Sequence, residues 1–174
     1  MASTRSPFIF RLPGVIPAGI RKDTLCSSID YVPTVLDYLG LPQIEGVDGV
    51  SLRPILSGTK QIQYGTIYTL FNRTAKPSIS GKVQSYPMRC VQNKKYAYIY
   101  NEWADGTREF RNESMMGLTF NAMKAEAQTN EAIRERVEFF LHRVPEEFYD
   151  LEKDPACLTN LVDSCEHRPI LETF

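Results

Sequence analysis

The stretch from residue 66 to residue 101 constrains the fold most, because it alternates β-type runs with turn residues. Residues 66–71 (TIYTLF) have the β-branched and aromatic composition of a strand. Residues 88–92 and 96–101 flank the polar turn Asn93-Lys94-Lys95, which predicts an antiparallel hairpin. The polar residues 72–85 are predicted to form a long loop, of the kind that often carries function.

Residues 30–40 predict a helix with well-marked ends. Asp30 suits the N-cap, Pro33 lies in the first turn where its missing N–H costs nothing, and Gly40 ends the helix. The apolar residues between them share the spacing of one helix face: Val32, Val35, Leu36 and Leu39. One or two helical turns are predicted within residues 51–58. The apolar residues 7–12, closed by a Pro-Gly turn, predict a buried strand.

Two further helices are predicted after the sheet residues, at about 118–127 and 130–142, the second capped by Thr129. A short last strand at 148–151 precedes a polar tail. This order of elements predicts an α+β fold. We expect an antiparallel sheet of about four strands packed by helices, preceded by a strand and a helix on the N-terminal side.

The composition is that of a globular protein, with 43% hydrophobic and 24% charged residues in a chain of 174. The 20 Lys and Arg nearly balance the 21 Asp and Glu, so a nucleic-acid partner is not expected. Since no apolar run approaches the roughly 18 residues of a membrane span, no membrane partner is expected either.

Few residues have the pattern of a metal or catalytic site. His142 and His167 share no metal-ligand spacing, and both are predicted to lie on the surface. Cys157 and Cys165 are near enough in sequence to form a disulfide, an option left open beside two reduced thiols. The other cysteines, Cys26 and Cys90, are interpreted as small buried side chains. No metal or other cofactor is expected in this segment.

Aromatic residues and hydrogen-bond donors surround the predicted loop, and we interpret them as a candidate site for an anionic sugar. Guanidinium groups bind sulfate or carboxylate through paired hydrogen bonds, and a ring can cover the face of a pyranose. The alternative is exposed charge that only keeps the protein in solution. The candidate substrate-binding residues are Phe71, Asn72, Arg73, Lys82, Tyr86 and Arg89.

Five stretches in order resemble the C-terminal portion of the sulfatase family, in the alkaline-phosphatase-like superfamily. They are residues 6–14 (SPFIFRLPG), 28–42 (SIDYVPTVLDYLGLP), 48–58 (DGVSLRPILSG), 86–101 (YPMRCVQNKKYAYIYN) and 147–161 (EFYDLEKDPACLTNL). The sequence YPMR at residues 86–89 most resembles the heparan N-sulfatase (sulfamidase) branch and its bacterial relatives.

The resemblance implies that residues 63–174 are the sulfatase C-terminal subdomain and residues 1–62 the C-terminal edge of the α/β catalytic domain. A strand at Pro7–Leu12 would then lack its parallel neighbours, so we expect a homo-oligomer or a swapped dimer through this edge. The implied activity is hydrolysis of sulfate esters or N-sulfate groups on glycosaminoglycan-type sugars. The implied cofactors of the full-length protein are calcium and formylglycine, and the implied location is periplasmic, extracellular or lysosomal.

The nucleophile and the calcium ligands of sulfatases precede residue 7 in family order. None of the four cysteines stands in the family's Cys/Ser-x-Pro-x-Arg motif. Arg5 is the one catalytic candidate, since an Arg at this place in the family can lie near the sulfate pocket. The segment alone is therefore expected to lack activity, which leaves open whether the chain acts as an enzyme. The alternative is a stand-alone sugar-binding or interaction module derived from the subdomain.

Overall fold

The computed structural model describes residues 7–61, 63–77 and 83–174, with only the backbone at 73–77, 83, 84 and 113. The chain forms a four-stranded antiparallel sheet in which neighbours in sequence are neighbours in space. The prediction of an α+β fold with about four antiparallel strands is confirmed. The strands are β1 (Thr66–Pro77), β2 (Val83–Asn93), β3 (Tyr96–Asn101) and β4 (Glu146–Asp150).

The first two strands extend beyond the other two. β2 pairs with β3 only as far as Met88 opposite Asn101, whereas β1 and β2 continue to Pro77 opposite Val83. The prediction of a loop over residues 72–85 is therefore wrong at both ends; residues 78–82 lie outside the described residues. Polar residues and a Pro are tolerated here because a two-stranded ribbon past the sheet has solvent around its edges.

The helices predicted from capping and periodicity are present. The cap of the fourth is Asn130 rather than the predicted Thr129, and its side-chain oxygen accepts a hydrogen bond from the backbone N–H of Ile133 at 3.3 Å. Among the described residues, no helix has the length and apolar character needed to cross a membrane. The helices are α1 (Tyr31–Leu39), α2 (Arg53–Leu56), α3 (Leu118–Glu126), α4 (Glu131–His142) and α5 (Arg168–Leu171).

The predicted strand at residues 7–12 is wrong: the backbone there is irregular and pairs with no strand of the described chain. A strand needs a hydrogen-bonded neighbour, which local sequence cannot supply. Ile9 in this segment is 83% exposed. The apolar face predicted for α1 is also poorly covered, with Val32 and Leu39 both exposed.

Three apolar clusters lie around the sheet and the helices that follow it. Tyr86, Trp103 and Phe110 form an aromatic cluster, and Phe120 and Val137 pack between α3 and α4. The third cluster lies against β3 and β4 and contains Ala97, Tyr149, Leu151 and Cys157.

On the opposite face of β3 and β4, the end of the chain covers Tyr96 and Phe148. The ring of Phe174 packs against Tyr96 and Phe148, at centroid distances of 6.5 and 5.6 Å. His167 lies beside Tyr96 and is buried, so its predicted surface position is wrong. The reason is that the tail folds back onto the sheet.

A polar network rather than an apolar core holds α1 in place. The carboxylate of Asp30 is fully buried. It accepts hydrogen bonds from the backbone N–H groups of Ser27 (2.9 Å) and Val50 (3.0 Å) and from the hydroxyl of Tyr64 (2.6 Å). Burial and the hydrogen bond to Asp30 raise the pKa of Tyr64 to about 12. Asp30 thus joins the start of α1 to the loop before α2 and to the residues that lead into β1.

Candidate functional site

Five of the seven predicted site residues lie on β1 or β2. Arg5 and Lys82 lie outside the described residues. Arg73 lies on β1 opposite Ser85, just after a shift of register. The hydroxyl of Ser85 donates to the backbone oxygen (3.0 Å) and the side-chain oxygen (2.9 Å) of Asn72. Asn72 is exposed, so its amide stands at the surface where the ribbon begins.

Tyr86 is a core residue, not an exposed platform. Its side chain is fully buried, its ring meets the rings of Trp103 and Phe110 edge-on at 5.0 Å each, and its hydroxyl donates to the backbone oxygen of Glu109 at 2.8 Å. This burial raises the pKa of Tyr86. In this arrangement the ring cannot cover a sugar. Phe71, 38% exposed at the edge of the same cluster, keeps a ring surface that can.

Arg89 lies on the other face of the sheet from Phe71. It is opposite Leu70 on β1, whereas Phe71 is opposite Met88, and successive residues of a strand point to opposite faces. The Arg89 guanidinium is exposed and forms a salt bridge of 2.9 Å with Glu102. The structure therefore divides the predicted site between the two faces of the sheet.

The face that carries Arg89 was missed by the sequence analysis. We call it the open face, defined by Tyr68, Leu70, Arg89, Tyr98 and Tyr100. Tyr68 is 78% exposed and Leu70 72%. The hydroxyl of Tyr98 donates to Glu146 at 2.6 Å, and burial together with this contact raises the pKa of Tyr98 to about 12. Alternation along residues 66–71 predicts two faces, but which face stays open depends on distant residues. Trp103 and Cys157 belong to the clusters that cover the other face. The tail at Phe174 covers the open face only beside Tyr96 and Phe148.

A charge asymmetry also escaped the sequence analysis, because the whole-chain balance hides it. Between Asp48 and Glu102 the sequence has no Asp or Glu. The same stretch has eight basic residues, and four of them fall within residues 73–89. They are Arg53, Lys60, Arg73, Lys76, Lys82, Arg89, Lys94 and Lys95. The remaining residues of this nearly neutral chain therefore carry a clear excess of negative charge.

Residues 85–89 (SYPMR) fit the Ser-x-Pro-x-Arg pattern that sulfatases use for their nucleophile. Ser85 here lies within β2, and its hydroxyl is engaged by Asn72. Among the described residues, its hydrogen-bond partner is Asn72. The pattern match alone does not identify Ser85 as a nucleophile, which requires an adjacent base or a metal ion.

A calcium site of the sulfatase kind does not fit the residues present. Among the described residues, no group of three or more His, Cys, Asp or Glu side chains could hold a metal ion. Calcium needs about six to eight oxygen ligands, with several carboxylates among them.

The most buried Glu is instead bound within the protein. The carboxylate of Glu147, 1% exposed, accepts from the Asn101 amide (2.7 Å) and the Tyr149 hydroxyl (2.6 Å), with Arg143 at 3.6 Å. Burial and this carboxylate raise the pKa of Tyr149 well above its usual value. These contacts use the Glu147 carboxylate to join β3, β4 and the end of α4.

Comparison with known families decides what kind of segment this is. A family model described as "N-sulphoglucosamine sulphohydrolase, C-terminal" matches residues 1–104, more than half of the chain. The chain belongs to this sulfatase family. This match confirms the resemblance to the C-terminal portion of the sulfatase family that the motifs indicated.

Curated relatives in this sulfatase family are much longer than the chain. An ulvan-active sulfatase of Formosa agariphila is 28% identical over an alignment of 174 positions, which includes 95% of this chain and 30% of the relative. An N-acetylglucosamine-6-O-sulfatase of Bacteroides thetaiotaomicron is 28% identical over 102 residues, or 56% of this chain and 18% of the relative. The chain thus spans less than a third of either relative.

Solved structures of sulfatases share the fold. One, described as being in complex with its substrate D-glucosamine-2-N,6-O-disulfate, has a TM-score of 0.59 and 16% identity, covering 94% of this chain and 25% of that chain. Another, a sulfatase from the glycosaminoglycan metabolism of Bacteroides thetaiotaomicron, has a TM-score of 0.54 and 21% identity over 94% of this chain and 27% of the other. These likenesses establish the α+β sulfatase C-terminal fold.

Proposed function

We propose that this chain is the C-terminal segment of a hydrolase that removes sulfate ester or N-sulfate groups from glycosaminoglycan-type sugars. Membership of the sulfatase family carries this proposal, because relatives in that family are described as sulfatases of ulvan and of N-acetylglucosamine. Calcium and formylglycine would belong to the part of the protein outside residues 7–174. The segment alone would be inactive, since binding without a nucleophile or a cation does not stabilise the transition state.

The role of the segment within that enzyme would be recognition of the anionic sugar. The basic stretch between Asp48 and Glu102 supports this role, because it has eight cations and no acid of its own, which attracts sulfate groups. Four of these cations pair with carboxylates from outside the stretch, for which a sulfate group would compete: Arg53, Arg89, Lys94 and Lys95. Arg73 and Lys82 would supply cations, and Phe71 and Asn72 a ring and an amide at the base of the ribbon. Arg89 would supply a cation on the other face of the sheet. Tyr86 would act indirectly, by holding the ring of Phe110 against Phe71.

The division at residue 62 is part of the same proposal. Residues 7–61 expose apolar side chains that an isolated domain would bury, among them Ile9, Val15 and Leu39. The catalytic α/β domain would cover them in the full-length enzyme. A homo-oligomer or a swapped dimer through Pro7–Leu12 is the other arrangement that would cover part of this surface.

The activity test compares the full-length protein with the 174-residue chain on a chromogenic aryl sulfate and on N- and O-sulfated glucosamine. We expect turnover by the full-length protein, lost with a calcium chelator, and none by the chain alone. Turnover by the chain that survives the chelator would refute the assignment of the nucleophile to another part of the protein. Inactivity of a correctly matured full-length protein on every sulfated sugar would refute the proposed reaction.

Replacement of Ser85 tests whether this residue, which fits the Ser-x-Pro-x-Arg pattern, is the nucleophile of the enzyme. Ser85→Ala in the full-length protein should leave kcat within about two-fold, because the hydroxyl only ties β2 to Asn72. A loss of more than 10³-fold, the scale expected for removal of a nucleophile, would make Ser85 the catalytic residue.

A sugar-binding module without catalysis is the second candidate function. The basic stretch without Asp or Glu between Asp48 and Glu102 favours it as much as it favours the enzyme segment. Arg89 and Arg111 are a matched pair, since each is exposed and each forms one salt bridge, with Glu102 and Glu109. Arg89→Gln should weaken binding of the 174-residue chain to a sulfated glucosamine polymer by about five-fold, and Arg111→Gln by less than two-fold. Equal effects of the two changes would remove Arg89 from the recognition surface. Tight binding combined with an inactive full-length protein would favour the module.

A further inference from the structure

Cys157 occupies a strained position in the turn that follows β4. Its φ of 54° lies in the left-handed region, which Gly and Asn occupy far more readily than Cys. Its backbone N–H donates to the oxygen of Asp154 at 3.0 Å. The turn directs the side chain inward, where it is 6% exposed and packs with Ala97, Tyr149 and Leu151.

Cys90 lies in the middle of β2 on the sheet face that this cluster covers. It is opposite Ile99 on β3, and its half-buried side chain packs against the same cluster. Burial is the main cause that raises the pKa of the Cys90 thiol, and the neighbouring thiol of Cys157 adds to it. Cys165, by contrast, is exposed. Cys90 and Cys157 therefore meet in one apolar cluster, whereas Cys165 lies at the surface.

The structure holds all four cysteines as thiols. We propose that Cys90 and Cys157 are the disulfide-forming pair of this chain. In the reaction two S–H bonds break and one Sγ–Sγ bond forms between these residues. The two electrons and two protons pass to a disulfide oxidant such as oxidised glutathione, which leaves as two molecules of glutathione. The bond joins the central strand β2 to the turn after β4.

Such a bond would stabilise the protein through the length of chain that it closes. About 67 residues separate the two cysteines, and closing a loop of this size restricts the unfolded chain strongly. The melting temperature of the full-length protein should rise on oxidation, by less than the roughly 5–15 °C expected for a chain of 174 residues. A bridge from Cys157 to Cys165 would close only a short loop and would restrict the unfolded chain less.

The test is disulfide mapping of the full-length protein after equilibration with oxidised and reduced glutathione. Digestion with trypsin and an Asp-specific protease separates the two candidate bridges. We expect peptide 90–94 joined to peptide 154–162, and a melting temperature that falls when a reductant is added. Complete alkylation of both residues, or a peptide 154–162 joined to the one that begins at Asp163, would overturn the proposal.

Serine variants serve as matched controls. Cys90→Ser and Cys157→Ser should each remove the linked peptides and the reductant-dependent shift in melting temperature. Cys26→Ser and Cys165→Ser should leave both unchanged. If Cys90→Ser or Cys157→Ser fails to fold, the mapping of the unmodified protein decides alone. A reductant-dependent shift that persists in Cys157→Ser would also overturn the assignment.

Discussion

The two ends of this chain are built in opposite ways. In residues 7–61 the fully buried groups include Asp30 and Thr34, while Ile9, Val15 and Leu39 face outward. From β1 onward the arrangement is reversed. Trp103, Tyr86 and Phe148 are fully buried, and the Tyr86 hydroxyl and the Glu147 carboxylate buried with them are hydrogen-bonded within the sheet region.

This difference shows which part of the chain supplies its own stability. Apolar burial is the main favourable term in folding, and the sheet region contains nearly all of it. The first region has a helix that ends at Gly40 but depends on hydrogen bonds at Asp30 and on the bridge between Leu25 and Tyr64. An apolar surface of this extent is typical of a face that another part of a protein covers, in agreement with the proposed role as the edge of a catalytic domain.

The largest expected effect tests the sheet region. Trp103→Ala in the 174-residue chain should lower the free energy of unfolding by about 3–5 kcal/mol, because the ring is fully buried against Tyr86 and Phe110. The matched change in the first region, Ile9→Ala, should cost less than about 0.5 kcal/mol. Urea denaturation followed by circular dichroism gives both values.

The same pair of variants can break the comparison. A cost above about 1.5 kcal/mol for Ile9→Ala in the isolated chain would mean that this side chain is buried in solution. Self-association through Pro7–Leu12 is the arrangement that would bury it, and the cost would then depend on protein concentration. A cost below about 1 kcal/mol for Trp103→Ala would mean that the aromatic cluster does not form.

The fold was predictable where the information is local. Asp30, Pro33 and Gly40 marked α1, and the turn Asn93-Lys94-Lys95 marked the hairpin of β2 and β3. The segment at residues 7–12 has the composition of a strand, but strand formation depends on a partner that no local pattern specifies. The loop predicted at residues 72–77 is wrong for the converse reason. Pairing with β2 extends β1 to Pro77 in spite of the polar composition of these residues.

The candidate site was less predictable than the fold. Phe71 and Arg89 were predicted to lie together because both stand beside the predicted loop, but strand alternation separates them onto two faces. Tyr86 was predicted to meet a ligand because it is an aromatic residue beside the same loop. Its actual neighbours, Trp103 and Phe110, come from a later part of the chain.

The second prediction concerns the polar network of the first region. Asp30→Asn should lower the free energy of unfolding by about 2–3 kcal/mol, because an amide cannot accept all three hydrogen bonds that the buried carboxylate receives. Asp37→Asn is the matched control. The Asp37 carboxylate is partly exposed, accepts from Ser51 and pairs with Arg53, so its replacement should cost less than about 1 kcal/mol. Equal costs would show that burial at Asp30 contributes nothing.

The smallest effect depends on pH and compares one tyrosine from each region. Tyr64 donates to Asp30, Tyr98 donates to Glu146, and both have a pKa of about 12. An unfolded tyrosine loses its proton near pH 10. Because the folded pKa is raised, each phenol stabilises the fold fully below pH 10, and this contribution is lost as the pH rises to 12. Tyr64→Phe and Tyr98→Phe should each cost about 1–2 kcal/mol at pH 7 and progressively less above pH 10.

The regions should respond differently when these phenols ionise. Tyr64 joins α1 to the residues leading into β1, whereas Tyr98 lies within a sheet that has its own apolar clusters. Amide hydrogen exchange, corrected for its intrinsic pH dependence, should show α1 losing protection between pH 10 and 12 while β2 and β3 keep theirs. Tyr64→Phe should produce that loss already at pH 7, and Tyr98→Phe should not. Simultaneous loss of protection in α1 and β3 would mean that the two regions unfold as one unit, contrary to the division drawn from their burial.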